Sequence, residues 1–391
     1  MARRFLFAWC LMGLVASSCT DQGSASSTTD APLVATTELP TSTSTSSSLP
    51  TTTTTTATTT TVAYDSESID IGPLSLRGGH SVVWTGEEMI VWGGDTGDGG
   101  PYLADGAAYN PETDTWRMIA QAPLSPRGYH VAAWTGDEML IVGGSGGSDG
   151  ASYDPSSDTW APIAESPVPT RSTNEGTTGS VWTGDKLFVW SAADDVAAVY
   201  DPRRDEWTEI GPTGIDATYG SLRWTGHEVY AFGDNQQAYP DERELLGAVW
   251  AGEEWRPLPT TDLSTETQYE AADARFTAWT GDRFLAWSGS GEQAKTVSYT
   301  PGDESWVETT PVPIPPCEGQ GEPTRAGDQV IAFGSCGSIA TFYDPALDTW
   351  TTARVLGYPT ARYTVWTGEQ LLHWGGGCCP SVEAWAYTPN Q

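Results

Sequence analysis

Basic side chains are scarce in this sequence. Its 391 residues include 18 Lys and Arg against 51 Asp and Glu, which gives a formal net charge of −33 at pH 7. A chain this acidic is repelled by phosphate backbones and by anionic lipid surfaces. The composition therefore argues against nucleic acid as a partner and against membrane adhesion through basic contacts, and it suits a soluble extracellular domain.

Long hydrophobic runs are also missing. The one apolar run near the N terminus, residues 5–16, follows two arginines and is too short to cross a bilayer as a helix. It ends in Ala16-Ser17-Ser18-Cys19, which resembles the lipobox of bacterial lipoproteins. The resemblance implies a signal peptide over residues 1–18, lipidation of Cys19, and a protein anchored by lipid to the bacterial membrane at the cell surface. The alternative is an ordinary secretory signal that is cleaved near Ser18.

Apolar residues are sparse in residues 19–65, where Ser and Thr predominate. Such a segment buries too little apolar surface to offset the entropy of ordering its backbone. We therefore predict a disordered stalk over residues 19–65 and a folded domain over residues 66–391.

A Trp-Thr-Gly turn repeats throughout the predicted domain. Each copy lies between two short apolar runs, which is typical of a β-hairpin. Full copies begin at Trp84, Trp134, Trp182, Trp224, Trp279 and Trp366, and a degenerate copy begins at Arg325. Seven copies at similar intervals along the chain indicate a repeat architecture of seven similar units.

A second motif, Tyr-x-Pro-x-x-Asp-x-Trp, follows most of the hairpins. It occupies residues 109–116, 153–160, 200–207 and 343–350, keeps its spacing at 299–306, and is lost in the fourth repeat, at 250–255. With the glycine pairs at 93–94 and 143–144, this pattern resembles the kelch repeat of galactose-oxidase-like propellers. The resemblance implies an all-β fold, a seven-bladed β-propeller of four-stranded kelch-like blades.

The two ends of the domain predict how this ring closes. The seventh repeat stops at Gln391, before its fourth strand, whereas residues 69–77 resemble the end of a repeat. The N-terminal segment should therefore supply the outer strand of the last blade. We also predict that the tryptophans that recur once per repeat pack between blades.

The strand order assigns the loops to two faces. The Trp-Thr-Gly turns and the turns between third and fourth strands share one face, the bottom, which should be acidic. The loops that precede first strands and follow second strands share the top. Arginines near the starts of first strands should converge there, at the channel mouth, where guanidinium groups could bind an acidic sugar or peptide. The alternative is that they pair with neighbouring carboxylates and connect blades. The candidate residues are Arg77, Arg127, Arg171, Arg275, Arg362, His80 and His130.

Four cysteines lie in the predicted domain, and they also fall in top loops. In an exported protein they favour two disulfides, either between the loops or as Cys317–Cys336 with a vicinal Cys378–Cys379 bridge. A metal site is the alternative, but only His373 lies near these cysteines in the sequence, so we predict no metal.

The galactose oxidase resemblance implies copper bound by two tyrosines, one crosslinked to cysteine, and two histidines. The chain has four histidines, and its first five repeats contain no cysteine. We therefore predict no cofactor and assign no catalytic residue. The sequence favours a monomeric, surface-displayed binding propeller that captures an unidentified protein or glycan, with an acidic ligand the best chemical match. The alternative is a kelch-type carbohydrate-active enzyme, epimerase- or lyase-like, acting on an acidic sugar with His80, His130 or Glu175 as base.

Overall fold

The computed structural model describes residues 65–97, 100–170, 178–234, 245–261, 263, 276–288, 295–313, 323–334, 339–354, 363–375 and 384–388. Strands and turns make up the regular structure of these residues, and none of them forms an α-helix. No apolar helix of membrane-spanning length is therefore present among them.

Within the described residues, 28 strands form seven separate four-stranded antiparallel sheets, the blades. The first strand, β1 (Asp65–Ser68), belongs to blade 7. Blade 1 consists of β2 (Ser81–Trp84), β3 (Met89–Trp92), β4 (Gly106–Asn110) and β5 (Thr115–Met118). Blade 2 consists of β6 (Val131–Trp134), β7 (Met139–Val142), β8 (Gly150–Asp154) and β9 (Thr159–Ile163). Blade 3 consists of β10 (Thr178–Trp182), β11 (Leu187–Ser191), β12 (Val196–Asp201) and β13 (Glu206–Glu209).

The remaining blades follow the same order. Blade 4 consists of β14 (Tyr219–Trp224), β15 (Val229–Asp234), β16 (Leu245–Trp250) and β17 (Trp255–Pro257). Blade 5 consists of β18 (Thr277–Trp279), β19 (Phe284–Ser288), β20 (Lys295–Tyr299) and β21 (Val307–Glu308). Blade 6 consists of β22 (Thr324–Ala326), β23 (Gln329–Gly334), β24 (Ile339–Asp344) and β25 (Thr349–Arg354). Blade 7 consists of β26 (Thr364–Trp366), β27 (Leu371–Trp374), β28 (Ala384–Thr388) and β1.

The blades form a closed ring. The first strands of successive blades contact one another all the way round, and β26 of blade 7 contacts β2 of blade 1. β1 pairs antiparallel with β28, with Asp65 opposite Thr388. The predicted seven-bladed propeller and its closure by an N-terminal strand are confirmed. The prediction of closure rested on residues 69–77, and the closing strand lies just before them, at residues 65–68.

The Trp-Thr-Gly motif forms the turn between the first two strands of a blade. In blade 1, the Thr85 N–H donates to Glu88 O at 3.0 Å, and Thr85 Oγ1 accepts from the Glu88 N–H at 2.9 Å. Gly86 has a φ of +104°, which a residue with a Cβ adopts only at a cost. Threonine therefore closes the turn and glycine permits its backbone conformation, which explains why both recur.

The Tyr-x-Pro-x-x-Asp-x-Trp motif contacts the blade that precedes its own. In blade 2, Asp158 Oδ1 accepts from the Tyr153 hydroxyl at 2.6 Å and from the Ala120 N–H at 2.8 Å. The Trp160 indole N–H donates to Ala120 O at 2.8 Å. We call this set of contacts the inter-blade clamp, because one Asp and one Trp bind both backbone groups of a residue that leaves the preceding blade.

Blade 3 repeats the clamp with Asp205 and Trp207 on Ala164. The Tyr153 hydroxyl and the Ala120 amide hold the pKa of Asp158 below its ordinary value, so the carboxylate stays ionised and accepts both bonds. The indole N–H groups of Trp116, Trp306 and Trp350 also donate to carbonyl oxygens of the preceding blade.

Apolar contacts between blades form the core. Trp92 of blade 1 is completely buried and packs with Tyr153 and Trp160 of blade 2. Full burial of an aromatic side chain contributes about 4–6 kcal/mol before the entropy of ordering it is subtracted. The predicted packing of the repeating tryptophans between blades is confirmed.

Replacing Asp158 by Ala should remove the acceptor that the Tyr153 hydroxyl and the Ala120 amide share. Because water reaches part of this carboxylate, we expect the free energy of unfolding to fall by only about 1–2 kcal/mol. Urea denaturation followed by tryptophan fluorescence measures the change. Asp137→Ala, in an exposed turn of the same blade, is the matched control and should change stability by less than about 0.5 kcal/mol. Equal losses in the two variants would contradict the role of the clamp.

Candidate functional site

The Arg77 guanidinium lies inside the protein. Its Nη1 and Nη2 donate to the two carboxylate oxygens of Asp105 at 2.9 and 3.1 Å, and it also donates to the carbonyl oxygens of Ser75 and Gly93. The side chain has no exposed surface. Arg77 therefore joins the loop that enters blade 1 to the loop between β3 and β4 on the top face.

Arg127 repeats this arrangement in blade 2. It donates to the carbonyl oxygens of Gly143 and Asp149 at 3.0 and 3.1 Å, and its Nη2 lies 2.9 Å from Asp149 Oδ1. Its side chain is also fully buried. Arg77 and Arg127 therefore pair with carboxylates, as the alternative supposes, but each partner lies in the blade that the arginine enters, so these ion pairs do not connect blades.

The other predicted top-face groups lie outside the described residues. They are Arg171, Arg275, Arg362, Cys317, Cys336, Cys378 and Cys379, together with Glu175 and the lipidation site Cys19. The roles given to them above stay predictions.

His80 is buried where the ring closes, between blades 1 and 7. Its Nε2–H donates to Trp374 O at 3.1 Å, and its ring stacks on Tyr363 with the centroids 4.0 Å apart. Nδ1 is buried without a hydrogen-bond partner. Burial, with a smaller effect from the charge of Arg77, lowers the pKa of His80 from 6.5 to about 3. His80 is therefore neutral at physiological pH and packs as an aromatic ring.

The other three histidines occupy different positions. His130 contacts the junction of blades 1 and 2, with Nε2 2.9 Å from Ser81 Oγ and its ring against Trp92. His373, on β27, is buried between Thr364 Oγ1 and Gly375 O. His227 is exposed in a bottom-face turn of blade 4. The structure therefore brings His80 and His130 to the top ends of adjacent blades, but as packed residues.

The top loops of blades 1 and 2 form one hydrogen-bond network. The Gly94 N–H donates to Arg127 O at 2.8 Å, and the Tyr129 N–H donates to Gly79 O at 2.7 Å, so both bonds cross from one blade to the next. The Arg127 N–H in turn donates to Leu103 O at 3.0 Å. We call these loops, residues 78–80, 93–95, 102–105 and 127–130, the top rim.

The second glycine of each glycine pair allows two top loops of one blade to approach each other closely. Gly94 has a φ of +101°, and a Cβ added to it would lie 2.6 Å from Gly78 O. Gly144 in blade 2 has the same conformation, and its Cβ would lie 2.8 Å from Gly128 O. Any side chain at these positions would push apart the two top loops of one blade, the loop that precedes its first strand and the loop that follows its second strand.

Two tyrosines of the top rim were not identified from the sequence. Tyr129 has a φ of +58°, an uncommon conformation for a residue with a bulky side chain, and residues in such conformations cluster at functional sites. Tyr102 is 40 % exposed, although it is a large aromatic residue. Exposed aromatic side chains on rigid loops are typical of binding surfaces. The position of Tyr129 beside Arg127 and Gly128 could have drawn attention to it in the sequence. Its backbone conformation, however, could not be predicted from that position.

The lowered pKa of His80 makes stability depend on pH. The unfolded chain binds a proton at His80 below pH 6.5, whereas the folded protein resists protonation until about pH 3. The stability contributed by neutral His80 is therefore present above pH 6.5 and is lost as the pH falls, at a rate that approaches about 1.4 kcal/mol per pH unit. We expect His80→Gln to reduce the slope of unfolding free energy against pH between pH 6 and 4. His227→Gln, which removes an exposed imidazole, is the control, and a slope in His80→Gln equal to that of the control would contradict this assignment.

A solved structure supports the same fold. A fungal alcohol oxidase of the AA5 family, in complex with copper, superposes with a TM-score of 0.56 at 14 % identity, covering 83 % of this chain and 76 % of that chain. The structure of YjhT matches with a TM-score of 0.48 at 12 % identity, covering 73 % of this chain and 99 % of that chain. No curated protein is similar enough to count as a relative. At these identities the likeness extends to the fold alone.

The described residues do not fit the copper site expected of an oxidase of this fold. Nε2 of His80 is bonded to a backbone carbonyl, and both ring nitrogens of His373 have protein partners. Among the residues that the structure describes, no three His, Cys, Asp or Glu side chains converge on one point. We derive no copper chemistry for this chain.

The family follows from the sequence match, together with the fold. Residues 40–239 match the family model described as the KLHDC2/KLHL20/DRC7 Kelch-repeats domain, which covers more than half of the chain. The four-stranded blades, the glycine pairs and the Tyr-Asp-Trp contacts are the structural counterparts of that match. The chain belongs to the kelch-repeat family of β-propellers.

Proposed function

We propose that this protein is a binding propeller displayed on the cell surface, which captures a protein or glycan partner through its top face. The observation that carries the proposal is the top rim, whose loops are joined across two blades by backbone hydrogen bonds and fixed from within by Arg77 and Arg127. A surface that is ordered before binding loses less conformational entropy when a partner arrives.

Exposed Tyr102 is the described residue best placed to contact such a partner. Tyrosine offers a rigid apolar ring and a hydroxyl, and it is enriched among residues that dominate binding energy. In this proposal Arg171, Arg275 and Arg362, which the sequence predicts near the starts of the first strands of blades 3, 5 and 7, add positive charge that favours an acidic peptide or an acidic sugar.

The stalk and the anchor complete the proposal. Lipidation at Cys19 would hold the chain on the bacterial membrane, and the Ser/Thr-rich residues 19–65 would carry the propeller away from the lipid. The acidic domain would then be repelled by anionic headgroups, which favours a partner outside the membrane.

The alternative function is a kelch-type enzyme that acts on an acidic sugar. It needs a base that substrate can reach. His80 is neutral, as a base must be, but it lies beneath Tyr363 and is only 5 % exposed. This burial favours binding over base catalysis at that position.

The test is binding of the purified full-length protein, in detergent, to arrays of acidic peptides and acidic oligosaccharides. We expect saturable binding that Tyr102→Ala weakens by about tenfold or more, equivalent to about 1.4 kcal/mol or more. Combined Arg275→Ala and Arg362→Ala should weaken the same interaction.

Leu347→Ala is the control, because it removes an exposed apolar side chain from the bottom face, where Leu347 is 70 % exposed. Binding should be unchanged in this variant. Binding that survives all the top-face substitutions, or no binding in either array, would overturn the proposal, and turnover of a bound sugar would favour the enzyme.

A further inference from the structure

Three adjacent grooves cross the side of the propeller at blades 3, 4 and 5. Their volumes are about 420, 570 and 370 Å³. The first two share Glu228 and Arg256 as lining residues, and the second and third share Pro259 and Glu304. We call them together the outer groove. It begins among bottom-face turns of blades 3 and 4 and continues along the outer strands of blade 5, away from the top rim.

The outer groove lies where the repeat motif departs from its pattern. In blade 4, Trp250 pairs with Trp255, and the turn between them is two residues shorter than the turn between Tyr109 and Trp116 in blade 1. No aspartate is present in this turn, and the Trp255 indole N–H is buried without an acceptor. Blade 4 therefore lacks the inter-blade clamp toward blade 3.

Blade 5 departs in a second way. Glu304 stands at the position of the clamp aspartate. In the other motif-bearing blades this aspartate takes a left-handed conformation, with a φ of 51–52°, whereas in blade 5 Gly302 provides the left-handed residue of the turn. Burial and the nearby charge of Asp303 raise the pKa of the Tyr299 hydroxyl. Tyr299, Asp303 and Glu304 consequently line the outer groove, in place of a closed Tyr–Asp contact.

The loss of the motif in blade 4 leaves the side chain of Arg256 exposed. Arg256 lies opposite Val249 in blade 4, just as Arg117 lies opposite Ala108 in blade 1. In blade 1, Arg117 forms a bidentate pair with Glu88 at 3.0 and 2.6 Å. In blade 4, the corresponding Glu228 accepts from the Tyr230 hydroxyl at 3.0 Å, and Arg256 is exposed. Among the ion pairs of the described residues, none involves Arg256.

The charges of the outer groove are of both signs. The chain has only two lysines, Lys186 and Lys295, and both line it, together with Arg256. The carboxylates along the same walls are Asp185, Glu228, Asp303, Glu304 and Glu308. The excess of carboxylates disfavours a polyanion. Donors and acceptors side by side suit hydroxyl groups, because each hydroxyl both donates and accepts hydrogen bonds.

Aromatic rings occur in each section of the outer groove. Half-buried Trp224 and Trp250 line the first section, buried Tyr230 and Tyr299 the second, and half-buried Trp306 the third. The C–H face of a pyranose ring is apolar and packs against such rings, while its hydroxyls point outward to polar partners. Trp224, Trp250 and Trp306 therefore offer ring surface at the two ends of the outer groove, and Arg256 and carboxylates line the section between them.

From these features we infer that the outer groove is a second binding site, separate from the top rim, and that its ligand is an extended neutral glycan. The half-buried tryptophans contact sugar rings at the two ends of the groove, and Lys186, Arg256 and the carboxylates bind sugar hydroxyls. A propeller with this site and a top-face site could hold a glycan and a second partner at the same time.

The test is isothermal titration of the full-length protein with four probes. The neutral probes are chitohexaose and cellohexaose, and the comparison probes are a hexameric oligogalacturonate and an acidic peptide of similar length. We expect at least one neutral hexasaccharide to bind more tightly than either acidic probe. Arg256→Ala and Trp250→Ala should each weaken that interaction by about tenfold or more.

Arg203→Ala is the matched control, because Arg203 is an exposed arginine in a bottom-face turn of blade 3 that does not line the outer groove. It should leave binding unchanged, as should Tyr102→Ala, which keeps this result separate from the top-face proposal. Circular dichroism melting would show that each variant is folded. No binding of a neutral hexasaccharide, tighter binding of either acidic probe, or equal loss in Arg203→Ala would overturn the inference.

Discussion

The contact between neighbouring blades is the interaction on which the rest of this structure depends. A four-stranded blade has two faces, and both must be covered, since its middle strands are almost completely buried, as β3 and β7 show. In blades 2 and 3 the clamp binds the N–H and the C=O of Ala120 and Ala164, which leave the preceding blade. The apolar packing supplies most of the free energy, and these directional bonds set the register between blades.

Closure of the ring uses a variant of the same contacts. The Trp116 indole N–H donates to Asp70 O, and the Trp374 indole N–H donates to Ile71 O, so the segment after β1 is bound from both sides. His80 and Tyr363 fill the top of this junction. A neutral buried imidazole at the place where the first and last blades meet links the integrity of the ring to pH, since protonation would place a charge in an apolar junction.

The two surfaces proposed for binding arise by opposite means. The top rim is built by adding contacts to the repeat, with Arg77 and Arg127 and the glycine pairs joining the loops. The outer groove is built by removing contacts, because blades 4 and 5 lack the clamp aspartate and leave Arg256 exposed. In blade 3, the carboxylate of Asp195 accepts from the amide and the hydroxyl of Thr213, so the loop between β11 and β12 is bound to the segment that leads into blade 4.

The amino-acid sequence by itself determined the number of blades, the closing strand and the turn chemistry, because each depends on residues that are close in the chain and recur with the repeat. It also placed the tryptophans between blades. Only the tertiary structure decided where the Arg77 guanidinium points, since its partners Gly93 and Asp105 lie in a loop across the blade. Likewise, Lys186 and Lys295 come to line one groove only when blades 3 to 5 are assembled. The orientation of a long side chain and the meeting of distant loops depend on packing between repeats, which the local pattern of residues does not encode.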